Sequence, residues 1–109
     1  MEKLPSAFVC ANDFIAIHVI RILKELNIRI PDEVMVCGFD NAPESRIVEP
    51  HLTTVHIYRS EMGFIAAEML LSRIENPDRL PRVTYVKTTP VFRQSTGHAY
   101  SIDNQDEPA

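Results

Sequence analysis

Apolar positions along the chain fall into short continuous runs separated by longer stretches of helical period. Residues 7–11 (Ala-Phe-Val-Cys-Ala) form one such run, with Pro5 before it and Asn12-Asp13 after it. A short apolar run bounded by polar residues reads as a buried strand. From 14 to 26 the pattern turns helical. Ile15, Ala16, Val19, Ile22, Leu23 and Leu26 share one face, Ile17 and Ile20 widen it, and His18, Arg21, Lys24 and Glu25 form a narrow polar stripe. A helix this apolar is expected to cover a sheet on one side and a second surface, such as a partner subunit, on another. Asn12 or Asp13 is suited to its N-cap, and Asn27 tolerates the left-handed conformation that ends helices.

Residues 28–32 form a proline-bearing link, and 34–39 read as another buried strand closed by Asp40-Asn41. Strand, helix and strand with continuous apolar runs predict a βαβ unit with parallel pairing. Both strands then end, at their carboxyl edge, in polar residues. Ligands of open parallel sheets bind outside that edge, so Asn12, Asp13, Asp40 and Asn41 are candidate contacts on one rim. Asn12 and Asp13 also have the simpler role of capping the helix, and Asn41 that of shaping the turn before Pro43. Gly38 is expected to permit close backbone approach beneath the rim.

Further on, 43–48 suggest a short helix or turn, and 52–57 (Leu-Thr-Thr-Val-His-Ile) a β-branched strand. Ser60 is placed to cap a second long helix over 61–75, with Met62, Ile65, Ala66, Met69, Leu70 and Ile74 on one face and Asn76-Pro77-Asp78 as its stop. Residues 83–87 and 90–93 read as short strands, and 97–109 as a disordered polar tail.

Composition narrows the function. The 109 residues allow one small domain. The net charge is −4, but three acidic residues (Asp103, Asp106, Glu107) lie in the tail, so the body to Thr96 is nearly neutral. No basic patch suggests direct nucleic-acid binding. Only three glycines occur (Gly38, Gly63, Gly97), too few for a dinucleotide or phosphate-loop fingerprint, and there is no Gly-x-Ser-x-Gly elbow. Asp13 and Asp40 could imitate an acid–base pair, but an enzyme is not expected. Cys10 and Cys37 lack metal-ligand spacing and read as small buried thiols of a cytosolic protein; no metal and no cofactor are expected. Met1 to Pro5 has no apolar signal region, and no stretch approaches the roughly 18 apolar residues of a membrane span, so a cytoplasmic protein without membrane contact is expected.

Five segments, in order, resemble the LacI family of bacterial transcriptional regulators. They are Val9-Cys10-Ala11-Asn12-Asp13 before a helix, Ile28-Arg29-Ile30-Pro31-Asp32-Glu33-Val34, Val36-Cys37-Gly38-Phe39-Asp40-Asn41, Pro50-His51-Leu52-Thr53-Thr54-Val55, and Phe92-Arg93-Gln94-Ser95-Thr96. The resemblance runs from about Pro5 to Thr96. It implies an α/β fold of the periplasmic-binding-protein type I class, a parallel sheet flanked by helices, of which this chain holds the C-terminal portion. Residues 1–53 and 88–96 would belong to the second lobe, and 54–87 would pack on the first lobe. Asn12 and Asp40 would be the main contacts for a small effector, a sugar or a nucleobase, with Asp13 and Asn41 as second choices. Operator DNA would be read only by an N-terminal helix-turn-helix outside these residues. A homodimer or higher self-association is implied, with Ile15, Val19, Ile22, Ile47, Val48 and His51 at its interface. His18 and Ile22 depart from the small residues common in the family at their positions; His18 reads as a surface histidine. Two other readings are a fragment of a periplasmic sugar-binding protein and a truncated subunit that pairs with full-length repressors and blocks them.

Overall fold

A computed structural model describes residues 3–98. The elements run β1 (Ala7–Val9), α1 (Asp13–Glu25), β2 (Met35–Cys37), a 3-10 turn (Pro43–Arg46), β3 (Thr54–Ile57), α2 (Arg59–Glu75), β4 (Thr88–Val91) and a second 3-10 turn (Gln94–Thr96). The chain divides into two compact units, one comprising residues up to His56 and from Thr89 onward, the other Ile57–Thr88.

In the first unit β1 and β2 pair in parallel, with Ala7 opposite Met35, Phe8 opposite Val36 and Val9 opposite Cys37. Past β2 the pairing passes to the other side through parallel bridges from Cys37 to Thr53 and Asp40 to His56. β3 in turn pairs with β4. The βαβ expectation therefore holds, and α1 is the crossover. Its inward face is Asp13, Ala16, Ile20 and Leu23. Ala16, Ile20 and Leu23 meet Val34, Val36 and Leu52 in one buried cluster, edged by Phe8, Cys10, Ile17, Val19, Ile28, Ile30 and Val48. Removing such side chains from water is the main stabilising contribution, about 1.5–3 kcal/mol for each large one.

Several expectations need correction. β1 is an edge strand rather than a buried one: Val9 is 82% exposed, because no strand pairs on its outer side among the described residues. The apolar residues of α1 divide between two faces instead of sharing one. Ile15, Ile22 and Leu26 are exposed, while Ile20 lies in the core. Residues 83–87 form no strand, and the only one near the C-terminus of the described region begins at Thr88. Gly97 and His98 also do not belong to a disordered tail. Gly97, at φ 90°, closes the second 3-10 turn, and the His98 amide donates to the Arg93 carbonyl at 3.0 Å. The rest of that expected tail, 99–109, lies outside the described residues.

The second unit is α2 and the strand-free segment after it. Its helix starts at Arg59 with Tyr58 at the N-cap and no side-chain cap bond, so Ser60 is not the cap. No residue of α2 is fully buried; Ile65 and Met69 of the expected apolar face are half-buried. Among the described residues no helix is long and apolar enough to cross a membrane.

Candidate functional site

The rim at the carboxyl ends of β1 and β2 is built around one buried carboxylate. Asn12 adopts extended backbone, and its Oδ1 accepts from the Ile15 amide at 2.9 Å, the expected N-cap bond. No described residue accepts from its Nδ2, which leaves a donor on the half-buried rim. Asp13 follows, is 1% exposed and spends both oxygens inward. Oδ2 accepts from the Ala42 amide at 2.7 Å and Oδ1 from the Thr54 hydroxyl at 2.5 Å.

Gly38 makes this approach possible. A Cβ at that position would collide with Asp13 Oδ1 and press on Leu52 Cδ2 at 3.2 Å. The requirement is for space, as expected, and not for an unusual backbone angle.

After Gly38 the backbone turns sharply. Asp40 has φ 123° and Asn41 φ 56°, both in the region that favours glycine. For Asp40 this is strained backbone, costing about 1–3 kcal/mol, and it persists only because the surroundings determine it. The Asp40 amide donates to Val55 O at 3.0 Å, and the Asn41 amide donates to Thr54 Oγ1 at 3.2 Å. Ala42 is tied to Asp13. Asp40 itself is half-buried on the rim.

Asn41 is buried, with its side chain committed to the interior. Its Nδ2 lies 2.9 Å from His56 Nδ1, within hydrogen-bond distance. Its Oδ1 accepts from Arg93 at 2.7 Å and from the Ser45 hydroxyl at 3.3 Å. The Arg93 guanidinium also donates to Ser45 Oγ at 2.8 Å and to Leu52 O at 2.9 Å. Burial, with the neighbouring Arg46 charge, lowers the Arg93 pKa to about 10, and the Asp13 carboxylate works in the opposite direction. Arg93 remains charged at neutral pH. Ser95 completes the anchorage, donating to Val36 O at 2.5 Å and accepting from the Thr53 amide at 2.8 Å.

Of the four rim residues read from the sequence, Asn12 and Asp40 sit on the rim, while Asp13 and Asn41 lie beneath it and hold its backbone. The supporting residues Thr54, His56, Ser45, Arg93 and Ser95 were not singled out. The one available signal was polar residues inside strand-like runs, as in Thr53-Thr54.

The six residues expected at a subunit interface differ in exposure. Ile15, Ile22 and Ile47 are exposed, Ile47 at 74%. Val19 and Val48 turn partly toward the core. His51 is half-buried and bound to Gln94, whose Oε1 accepts from its amide at 2.9 Å and lies 2.8 Å from its Nδ1. His18 is exposed, with Phe14 edge-on at 4.8 Å.

The family model of the periplasmic binding protein-like domain matches residues 1–96. The HTH-type transcriptional regulator GalR of Lacticaseibacillus casei is 36% identical over 95 residues, which are 87% of this chain and 29% of that protein. A LacI-type transcriptional regulator from Bacillus cereus subsp. cytotoxis superposes with a TM-score of 0.84 at 25% identity, over 92% of this chain and 36% of the other. A LacI family regulator from Enterococcus faecium, solved with bound ribose, gives 0.75 at 27% identity, over 87% of this chain and 35% of that one. The chain thus spans about a third or less of each protein it resembles.

Proposed function

Because the chain belongs to the periplasmic binding protein-like domain family, we propose that it forms the C-terminal part of the effector-sensing and dimerisation core of a LacI-type transcriptional regulator. Operator binding would come from a helix-turn-helix outside these residues. The effector would be a small polar molecule of the sugar or nucleobase class; ribose bound to the Enterococcus faecium relative supports the sugar side of that range. The activity would be binding without chemistry, in the cytoplasm.

The observation that carries this reading is the pairing of Asn12 and Asp40 on one rim. Asn12 offers an N–H donor while its oxygen is used in the cap, and Asp40 offers a carboxylate that can only accept. A sugar hydroxyl both donates and accepts, so the two together suit neighbouring hydroxyls. Asp40 is the stronger anchor, because its bond would be charge-assisted. Asp13 and Asn41 act as positioning residues for the rim backbone. Residues 54–87 would rest on the first lobe of the intact protein.

The test is operator release by a panel of pentoses, hexoses, disaccharides and purine bases, measured on the intact regulator. Asp40→Ala is expected to weaken the response to the active compound by about tenfold to a hundredfold, the loss of one charged hydrogen bond. An unchanged response would remove Asp40 from the effector site and the reading with it.

A further inference from the structure

One guanidinium is buried beneath the rim. Arg93 is 6% exposed, and three of its bonds end on neutral oxygens. Its Nη1 donates to Ser45 Oγ at 2.8 Å and to Leu52 O at 2.9 Å, and its Nη2 donates to Asn41 Oδ1 at 2.7 Å. Burying a cation carries a large desolvation cost, so such an arrangement is weak ground for a stabilising role. Geometry is the better account. A guanidinium is a flat fork with five donors in fixed directions, so it can hold acceptors from several segments at once. Here it joins the turn after β2, the 3-10 turn at Pro43–Arg46 and the residue that leads into Thr53 and β3.

The fork is itself seated. The Arg93 amide donates to Thr53 Oγ1 at 2.7 Å, and Thr53 Oγ1 lies 3.2 Å from Arg93 O. At its far end it meets the strained turn, where Asp40 (φ 123°) and Asn41 (φ 56°) keep their shape only while neighbours impose it. Ala42 is held from both sides, its amide by Asp13 Oδ2 at 2.7 Å and its carbonyl by Ser45 Oγ at 2.6 Å. A hydroxyl has a single hydrogen to give. The short bond to Ala42 O claims it, which leaves the 3.3 Å approach of Ser45 Oγ to Asn41 Oδ1 as the weaker contact. The Asn41 carboxamide oxygen therefore depends on Arg93.

We propose that Arg93 is a positioning residue for effector binding: through Asn41 it holds the turn that presents the Asp40 carboxylate on the rim. The inference rests on the reading of Asp40 as an effector contact and adds to it a residue buried below. Charge alone does not suffice for this role. Lysine at the same position would carry the charge on a compact ammonium in place of a fork, and could not reach Asn41, Ser45 and Leu52 together.

The experiment follows hydrogen exchange at the Asp40 and Asn41 amides of the 109-residue chain, with the urea midpoint measured alongside. Arg93→Lys is expected to speed that exchange at least about tenfold. Leu23→Ala, which opens a cavity in the core cluster, is expected to lower the midpoint without this local change. Asn41→Ala should speed exchange at Asp40 to a similar degree, and Arg93→Lys added to it should do little more, because the two substitutions remove the same bond. In the intact regulator, titrated with the same pentoses, hexoses, disaccharides and purine bases, Arg93→Lys is expected to raise the half-maximal concentration of the active compound about tenfold, with full operator release still reached. Unchanged exchange in Arg93→Lys overturns the inference, as do additive effects of the two substitutions or an equal acceleration in Leu23→Ala. Faster exchange with an unchanged operator response overturns it too. Exchange is read without any compound, so a panel in which nothing releases operator counts against the effector reading, while the exchange still decides whether Arg93 holds the turn.

Discussion

Gly38 and Asp13 show how one missing side chain sets up a buried polar cluster. Asp13 Oδ1 occupies the space that a Cβ on Gly38 would need. Gly38→Ala must therefore displace either the helix N-terminus or the strand end, and an overpacked site of this kind costs about 1–3 kcal/mol. The effect would be read from the urea midpoint; an unchanged midpoint would mean that the approach is looser than described. The two cysteines make a separate prediction at this scale. Burial pushes both thiols above their ordinary value of 9.0, and for Cys10 the proximity of Cys37 adds to it. Below 9.0 both states of the protein hold the protons, so the thiols contribute no slope to stability. Above it the unfolded chain releases them first, so stability falls as pH rises toward the raised folded values. Urea midpoints measured at neutral pH and at about pH 10 should differ in that direction, and the difference should shrink in Cys10→Ala/Cys37→Ala. An equal difference in the double variant would assign the slope to other groups.

At the scale of elements, α1 is the informative case. Periodicity located it almost to the residue, and Asn12 and Asn27 mark its ends as expected, with Asn27 at φ 57°. What periodicity could not supply was which apolar residues belong to the sheet side and which to the second surface. Ala16, Ile20 and Leu23 point at the sheet, whereas Ile15, Val19, Ile22 and Leu26 follow one another at helical spacing along a flank, all but Val19 exposed. Both sets are apolar, and only packing against Val36 and Leu52 decides which one is core. The exposed flank is where self-association would be built. Ile22→Asp should shift the chain toward a monomer in sedimentation at micromolar concentration, with association weakened at least about tenfold. Retention of the same oligomer would place the interface elsewhere. The short strands were less legible because their ends depend on partners. β1 pairs on one side only, and the segment 83–87, β-branched in composition, finds no neighbour among the described residues. For the rim, the residue types at the strand ends marked positions that the structure gathers at the carboxyl ends of β1 and β2. Which of the four face outward was decided by hydrogen bonds from Thr54 and Arg93, 41 and 52 residues further along than the side chains they hold.

On the scale of the whole molecule, the first unit is assembled from two distant stretches of chain, with Ile57–Thr88 inserted between them. The second stretch is short, yet it contributes Arg93 and Ser95, both buried, whose bonds reach Asn41, Ser45, Leu52, Val36 and Thr53. That arrangement orders events in time. On the ribosome, residues up to His56 emerge long before Arg93 does. They can pair β1 with β2 and dock α1, but the Asp40–Asn41 turn lacks the guanidinium that holds Asn41. Contacts between residues so far apart in sequence close late, because loop entropy must be overcome first. The rim at the carboxyl ends of β1 and β2 should therefore be among the last parts of the molecule to acquire its shape. A chain halted at Lys87 should show a folded α1 by hydrogen exchange together with unprotected amides at Asp40 and Asn41. Full protection there would mean that the strained turn forms without the last strand.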